Sequence, residues 1–162
     1  MTDHSPDTGN MVDRADALEA LALRCEAGEA SREMDALIAV ALRRLHPRHA
    51  EHAPWVANFP TWRARPEGKV AVVHHDGNDG VHWDSEPVTR SLDAVSALQE
   101  AVLPHWFLSS SSSGVACATP PDAGLGGQKI HTGHRHPKIT ECQARLAALL
   151  RALAVEIREG RS

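Results

Sequence analysis

Lys69-Val70-Ala71-Val72-Val73-His74-His75, then Asp76-Gly77-Asn78-Asp79-Gly80, then Val81-His82-Trp83-Asp84-Ser85 is the stretch whose reading decides the fold. The first seven residues are mainly β-branched and apolar, the last five alternate, and the five between have turn composition, so the stretch predicts a β-hairpin. The central Asp-Gly-Asn-Asp-Gly also invites comparison with a calcium loop. It fails, because Val81 stands where the sharp-turn glycine belongs and Pro87 where the bidentate glutamate belongs.

Upstream of the hairpin the apolar period lengthens to that of a helix. Leu18, Leu21, Ala22 and Cys25 share one face, and Gly28 ends the helix where a left-handed residue costs little. Ser31 then offers an N-cap to a second helix with the stripe Met34, Leu37, Ile38, Ala41, Leu42 and Leu45, with Glu33 in its first turn and Arg43, Arg44 and His46-Pro47 closing it. Between residues 46 and 68, Pro47, Pro54, Pro60 and Pro66 forbid a long helix, while Trp55, Phe59 and Trp62 are too apolar for a linker. A packed irregular segment is expected there, with one short edge strand around Trp62. Those aromatics would also suit an arm reaching a second subunit.

Downstream, Ser91 caps a helix carrying Leu92, Val95, Leu98 and Val102, stopped by Pro104. Trp106–Ser109 and Val115–Ala118 read as short strands joined by the serine-rich Ser109–Gly114, and residues 119–129 as loop. Pro137 suits the first turn of a last helix whose stripe is Ile139, Cys142, Leu146, Leu149, Leu150, Leu153 and Ile157, ending at Gly160. Four helix stripes and a few short strands predict the α+β class: a small, mainly antiparallel sheet packed between helices, an α-β-α sandwich. Residues 1–11 are expected to be a flexible leader, and 12–162 a single domain.

Composition narrows the function classes. With a formal charge of −4, the chain lacks the basic surplus of a nucleic-acid binder. No stretch approaches the length of a membrane span and no secretory signal is visible, so a cytoplasmic protein is expected. Cys25, Cys117 and Cys142 form no CxxC pair, and Cys25 and Cys142 fall on apolar stripes, where cysteine acts as a small hydrophobe. The hydrolase, kinase, P-loop and dinucleotide motifs are missing from the sequence, and no cofactor is expected.

Three segments carry a family resemblance. Ser31-Arg32-Glu33-Met34-Asp35-Ala36 looks like one helix opening, and Thr89-Arg90-Ser91-Leu92-Asp93-Ala94, followed by Leu103-Pro104 and Trp106, like a second. His136-Pro137 before the Ala- and Leu-rich run containing Leu149-Leu150-Arg151-Ala152 is the third. Together they resemble small phage and prophage proteins with an α-β-α sandwich domain. The resemblance implies a fold and a phage origin, within a host cell, but no chemistry. Its recurring residues also read simply as caps and first-turn carboxylates.

The sharpest chemical feature is His131-Thr132-Gly133-His134-Arg135-His136, with Lys129 just upstream. Lys129, His131, His134, Arg135 and His136 are the candidate ligand-binding residues, since basic groups converge with the free amides of a helix N-terminus to suit an anion. A solvated loop accounts for the same residues. A non-enzymatic binding or accessory protein is therefore expected, holding a small anion or nucleotide or contacting a host protein. The alternative is a metal-dependent hydrolase built on His131, His134 and His136, with His74, His75 and His82 of the hairpin nearby.

Overall fold

The computed structural model describes residues 6–110, 115–121, 130–132 and 139–160. Helix α1 (Pro6–Glu26) starts inside the segment expected as a flexible leader. Pro6 favours this start, since its φ is preset for a helix and the first turn has no use for its missing N–H.

Helix α2 (Arg32–Leu42) begins where the sequence predicts, with Ser31 Oγ accepting from Met34 N at 3.1 Å. It ends three residues early, at Arg43 in the left-handed region with φ 55°. The irregular segment holds more helix than expected: α3 (Pro47–His52) and a 3-10 turn (Pro54–Asn58), each opened by its proline. Proline breaks a helix interior but suits a first turn, so the prolines that forbid one long helix start two short ones. The edge strand around Trp62 is present as β1 (Trp62–Ala64).

The hairpin is formed by β2 (Lys69–Val73) and β3 (Asp79–Asp84), antiparallel with Val70 opposite Trp83. Its connection is an Asx turn in which Asn78 N donates to Asp76 Oδ1 at 3.0 Å, with Gly77 at φ 87°. Helix α4 (Leu92–Val102) is capped by Ser91 as expected. Strands β4 (Phe107–Ser110) and β5 (Ala116–Thr119) pair antiparallel, and a strand the sequence did not suggest, β6 (Ile130–Thr132), adds to β5.

Helix α5 (Glu141–Arg158) starts later than Pro137 would place it. Thr140 is the N-cap: its hydroxyl accepts from Gln143 N, and Gln143 Oε1 accepts from Thr140 N at 2.9 Å. This capping box satisfies two helix-end groups at once, which outweighs the local preference of a proline three residues earlier.

The class is α+β, with antiparallel strands packed with helices, but the strands divide into two three-stranded sheets, β1-β2-β3 and β4-β5-β6. Helix α5 occupies the middle of the main core, packed against α1, α4 and the second sheet. Ala144, Ala147, Ala148, Ala152 and Ala154 are buried along with its leucines, so it is apolar well beyond one stripe. Helix α1 runs antiparallel to it, because Arg158 pairs with Asp16 and Glu19 while Arg151 pairs with Glu26. Helix α2 has two apolar faces. Met34, Ile38 and Leu42 enter the main core, and Ala36 joins Ala53, Val56, Trp62, Val70, Val72 and Trp83 in a second core under the first sheet. Each sheet thus covers a different helix surface, which is why one continuous sheet does not form.

Candidate functional site

Two grooves border the elements just described. The first, about 320 Å³, lies between α3 and the last residues of β3, lined by His46, Arg48, His49, His52, Trp83 and Asp84. Its floor depends on stacking. The Trp83 side chain is only 4% exposed; it meets Trp62 edge-on at 4.9 Å and stacks on His49 at 5.2 Å, with 22° between the planes. Arg43 lies over the other indole, 3.9 Å from the Trp62 ring centre, and donates to the carbonyls of Ala57 and Phe59. The short helix is thereby clamped to the sheet through Arg43, Trp62, Trp83 and His49.

The two indoles differ in one respect. Trp62 Nε1 donates to Val56 O at 3.2 Å, whereas Trp83 Nε1 and His49 Nε2 are buried with no partner among the described residues. An indole N–H can only donate, and leaving it unpaired in the interior costs about 1–3 kcal/mol. The other groups at the rim also donate. Arg48 is exposed and its guanidinium makes no hydrogen bond among the described residues. His46 uses Nδ1 to accept from Arg48 N at 3.2 Å, so its Nε2 carries the proton. The groove is rich in donors, with Asp84 its only carboxylate.

Burial, followed by the neighbouring charges of His52 and His46, holds the His49 pKa below the ordinary histidine value. A base whose folded pKa is depressed contributes stability above its unfolded pKa, about 6.5, and loses it as pH falls through the folded value. The unfolding midpoint is therefore expected to drop between pH 7 and pH 5. His49→Phe, which keeps the ring stack without a titrating group, should have a flatter profile in denaturant titrations at each pH. An unchanged slope would show that His49 does not control it.

The second groove, about 330 Å³, is lined by Ala30, Thr89, Arg90, Leu92, Thr140, Glu141 and Cys142, where the N-termini of α2, α4 and α5 approach one another. Three helix dipoles would favour an anion there. However, each helix already presents its N3 amide to its own cap, and Glu33, Asp93 and Glu141 occupy the first turns. The dipoles are thus answered from within the chain.

Of the residues singled out from sequence, Lys129, His134, Arg135 and His136 lie outside the described residues. His131 is in β6, opposite Cys117 on β5. The hairpin histidines His74, His75 and His82 are exposed, His74 with its ring edge on Phe59. Among the described residues no three His, Cys, Asp or Glu side chains are arranged to hold a metal ion. Cys25 and Cys142 are buried free thiols whose pKa values burial pushes up to about 12 and about 11, so both stay protonated and pack as hydrophobes. Of the aromatics proposed for a subunit arm, Trp62 is in the second core and Phe59 packs against it, leaving Trp55 half exposed.

The groove at α3 was not recognised from sequence. Its signal was His46-x-x-His49-x-x-His52 after the break in α2, a three-residue spacing that gathers imidazoles once Pro47 starts a helix. The segment joining the two cores also contains the family-like residues. Asp35, 1% exposed, accepts from Thr89 N at 2.9 Å and Thr89 Oγ1 at 2.7 Å, and its other oxygen accepts from Arg32 at 2.9 Å. Two of the three resembling segments therefore meet in a buried network that supports the fold. Comparison of the chain with known protein families, with characterised proteins and with solved structures gives no match.

Proposed function

We propose that this protein binds a small phosphate-bearing anion in the groove between α3 and β3. The observation that carries the reading is that Trp83, whose buried indole N–H lacks an acceptor among the described residues, lines a groove otherwise furnished with donors. An oxyanion supplies acceptors to all of them, and the exposed Arg48 supplies charge. The reading keeps the expected class, a binding rather than a catalytic protein, but moves the site from the His131–His136 segment to His46, Arg48, His49, His52 and Trp83. A phage-derived protein sequestering such a molecule in the cytoplasm of a host cell is the setting proposed for it. No helix among the described residues is long and apolar enough to cross a membrane.

Trp83 makes the test direct. Titration with inorganic phosphate and with adenosine monophosphate should give a saturable change in tryptophan fluorescence and a rise in melting temperature. A ligand at a hundred times its Kd adds about 2.7 kcal/mol to stability. Trp83→Phe, which keeps the ring but removes the N–H, should weaken binding about tenfold, as a lost hydrogen bond to a charged group does. The absence of any saturable response to either anion at millimolar concentration would end the proposal.

A further inference from the structure

We propose that the groove selects phosphate esters whose body carries hydroxyl groups, a nucleotide or a sugar phosphate, through Asp84. This rests on the anion-binding reading above and adds a specificity that donors alone cannot provide. The groove's volume of about 320 Å³ is at the lower end of the range for small-molecule sites and far exceeds a bare phosphate. Asp84 is the one lining group that can only accept. It is exposed at the end of β3, opposite Lys69 of β2 in the strand register. No ion pair within 4.0 Å or hydrogen bond occupies its side chain among the described residues, so its oxygens are not neutralised by Arg48.

A carboxylate beside an anion site repels an oxyanion that brings no proton of its own. It attracts a ligand that presents hydroxyls there, because a charge-assisted O–H···O⁻ bond is about twice as strong as a neutral one. The phosphate would then be held by Arg48, the imidazoles and the Trp83 N–H, and the hydroxyls by Asp84. Hydroxyl-free phosphate esters of similar size and charge gain only the first set of contacts.

Calorimetric titration of the full chain with adenosine monophosphate, its 2′,3′-dideoxy analogue and ribose 5-phosphate separates these contributions. The hydroxyl-bearing ligands should bind about tenfold tighter than the dideoxy compound, a ratio typical of one hydrogen bond to a charged group. In Asp84→Ala the ratio should collapse toward one, with the dideoxy affinity equal or improved. Tighter binding of adenosine monophosphate than of ribose 5-phosphate would assign the ligand to nucleotides, and equal binding to free sugar phosphates. Equal affinity for the hydroxylated and dideoxy nucleotides in the unmodified protein would overturn the role of Asp84 while leaving anion binding intact. That comparison does not depend on how the variant folds. If none of the three binds, the site itself is wrong.

Discussion

Asp35→Ala is expected to lower the free energy of unfolding by about 3 kcal/mol, because breaking a buried ion pair from one side costs about 3–5 kcal/mol. The lower end applies here. Arg32, which loses its carboxylate, is about a third exposed and keeps its bond to Ser85 O at 2.9 Å. The larger part comes from Thr89, whose buried N–H loses its acceptor and whose hydroxyl keeps only the longer bond to Ser31 O at 3.4 Å. For a chain of this length that corresponds to a fall of roughly 6–12 °C in melting temperature. Asp35→Asn keeps one acceptor oxygen for Thr89 and should cost about half as much. Urea denaturation of the three proteins checks this, and a loss below about 1 kcal/mol for the alanine variant would mean that the network is not buried as described.

Gly68→Ala should be comparably damaging, for a reason of shape. Gly68 has φ 91°, and a Cβ there would lie 2.6 Å from Arg32 Cβ and 3.1 Å from Arg32 O. Neither atom can swing away, since one is the root of the side chain and the other is backbone. Strain in the left-handed region costs about 1–2 kcal/mol, and overpacking typically adds about 1–3 kcal/mol, so a total of about 2–5 kcal/mol is expected. Gly77→Ala provides the control. Its φ is 87°, but nothing lies within 4 Å of the added carbon, so only the conformational part should appear. Equal losses in the two variants, measured by chemical denaturation, would show that the approach of Arg32 to Gly68 contributes nothing.

Gly68 and Asp35 also show why parts of the molecule were readable and others were not. The Ser31 and Ser91 caps and the turn at Asp76–Gly80 all follow from interactions between residues a few positions apart. Thr140 with Gln143 is equally local, and its capping-box spacing was present in the sequence. Pro137 competes with that signal, since proline reports a permitted start and the reciprocal bonds determine the real one. The stripe of α5 was read from its large residues alone. Its alanines revealed their role only when three neighbouring elements closed around the helix.

What the sequence by itself determined is therefore the four long helices, the hairpin, the short strands at Trp62, Phe107 and Ala116, the α+β class, and the burial of Cys25 and Cys142, because period, caps and turn chemistry act over one or two turns of chain. Tertiary structure decided the rest. Asp35 and Thr89 are 54 residues apart, and nothing in either segment announces their bond. The same holds for the groove: His46, His49 and His52 acquire a partner surface only when β3 brings Trp83 and Asp84 alongside. Whether a tryptophan N–H is satisfied, as in Trp62, or left seeking an acceptor, as in Trp83, depends on which carbonyl packing places beside it. Hydrogen-bond satisfaction is a property of the packed interior, and the proposed site follows from it.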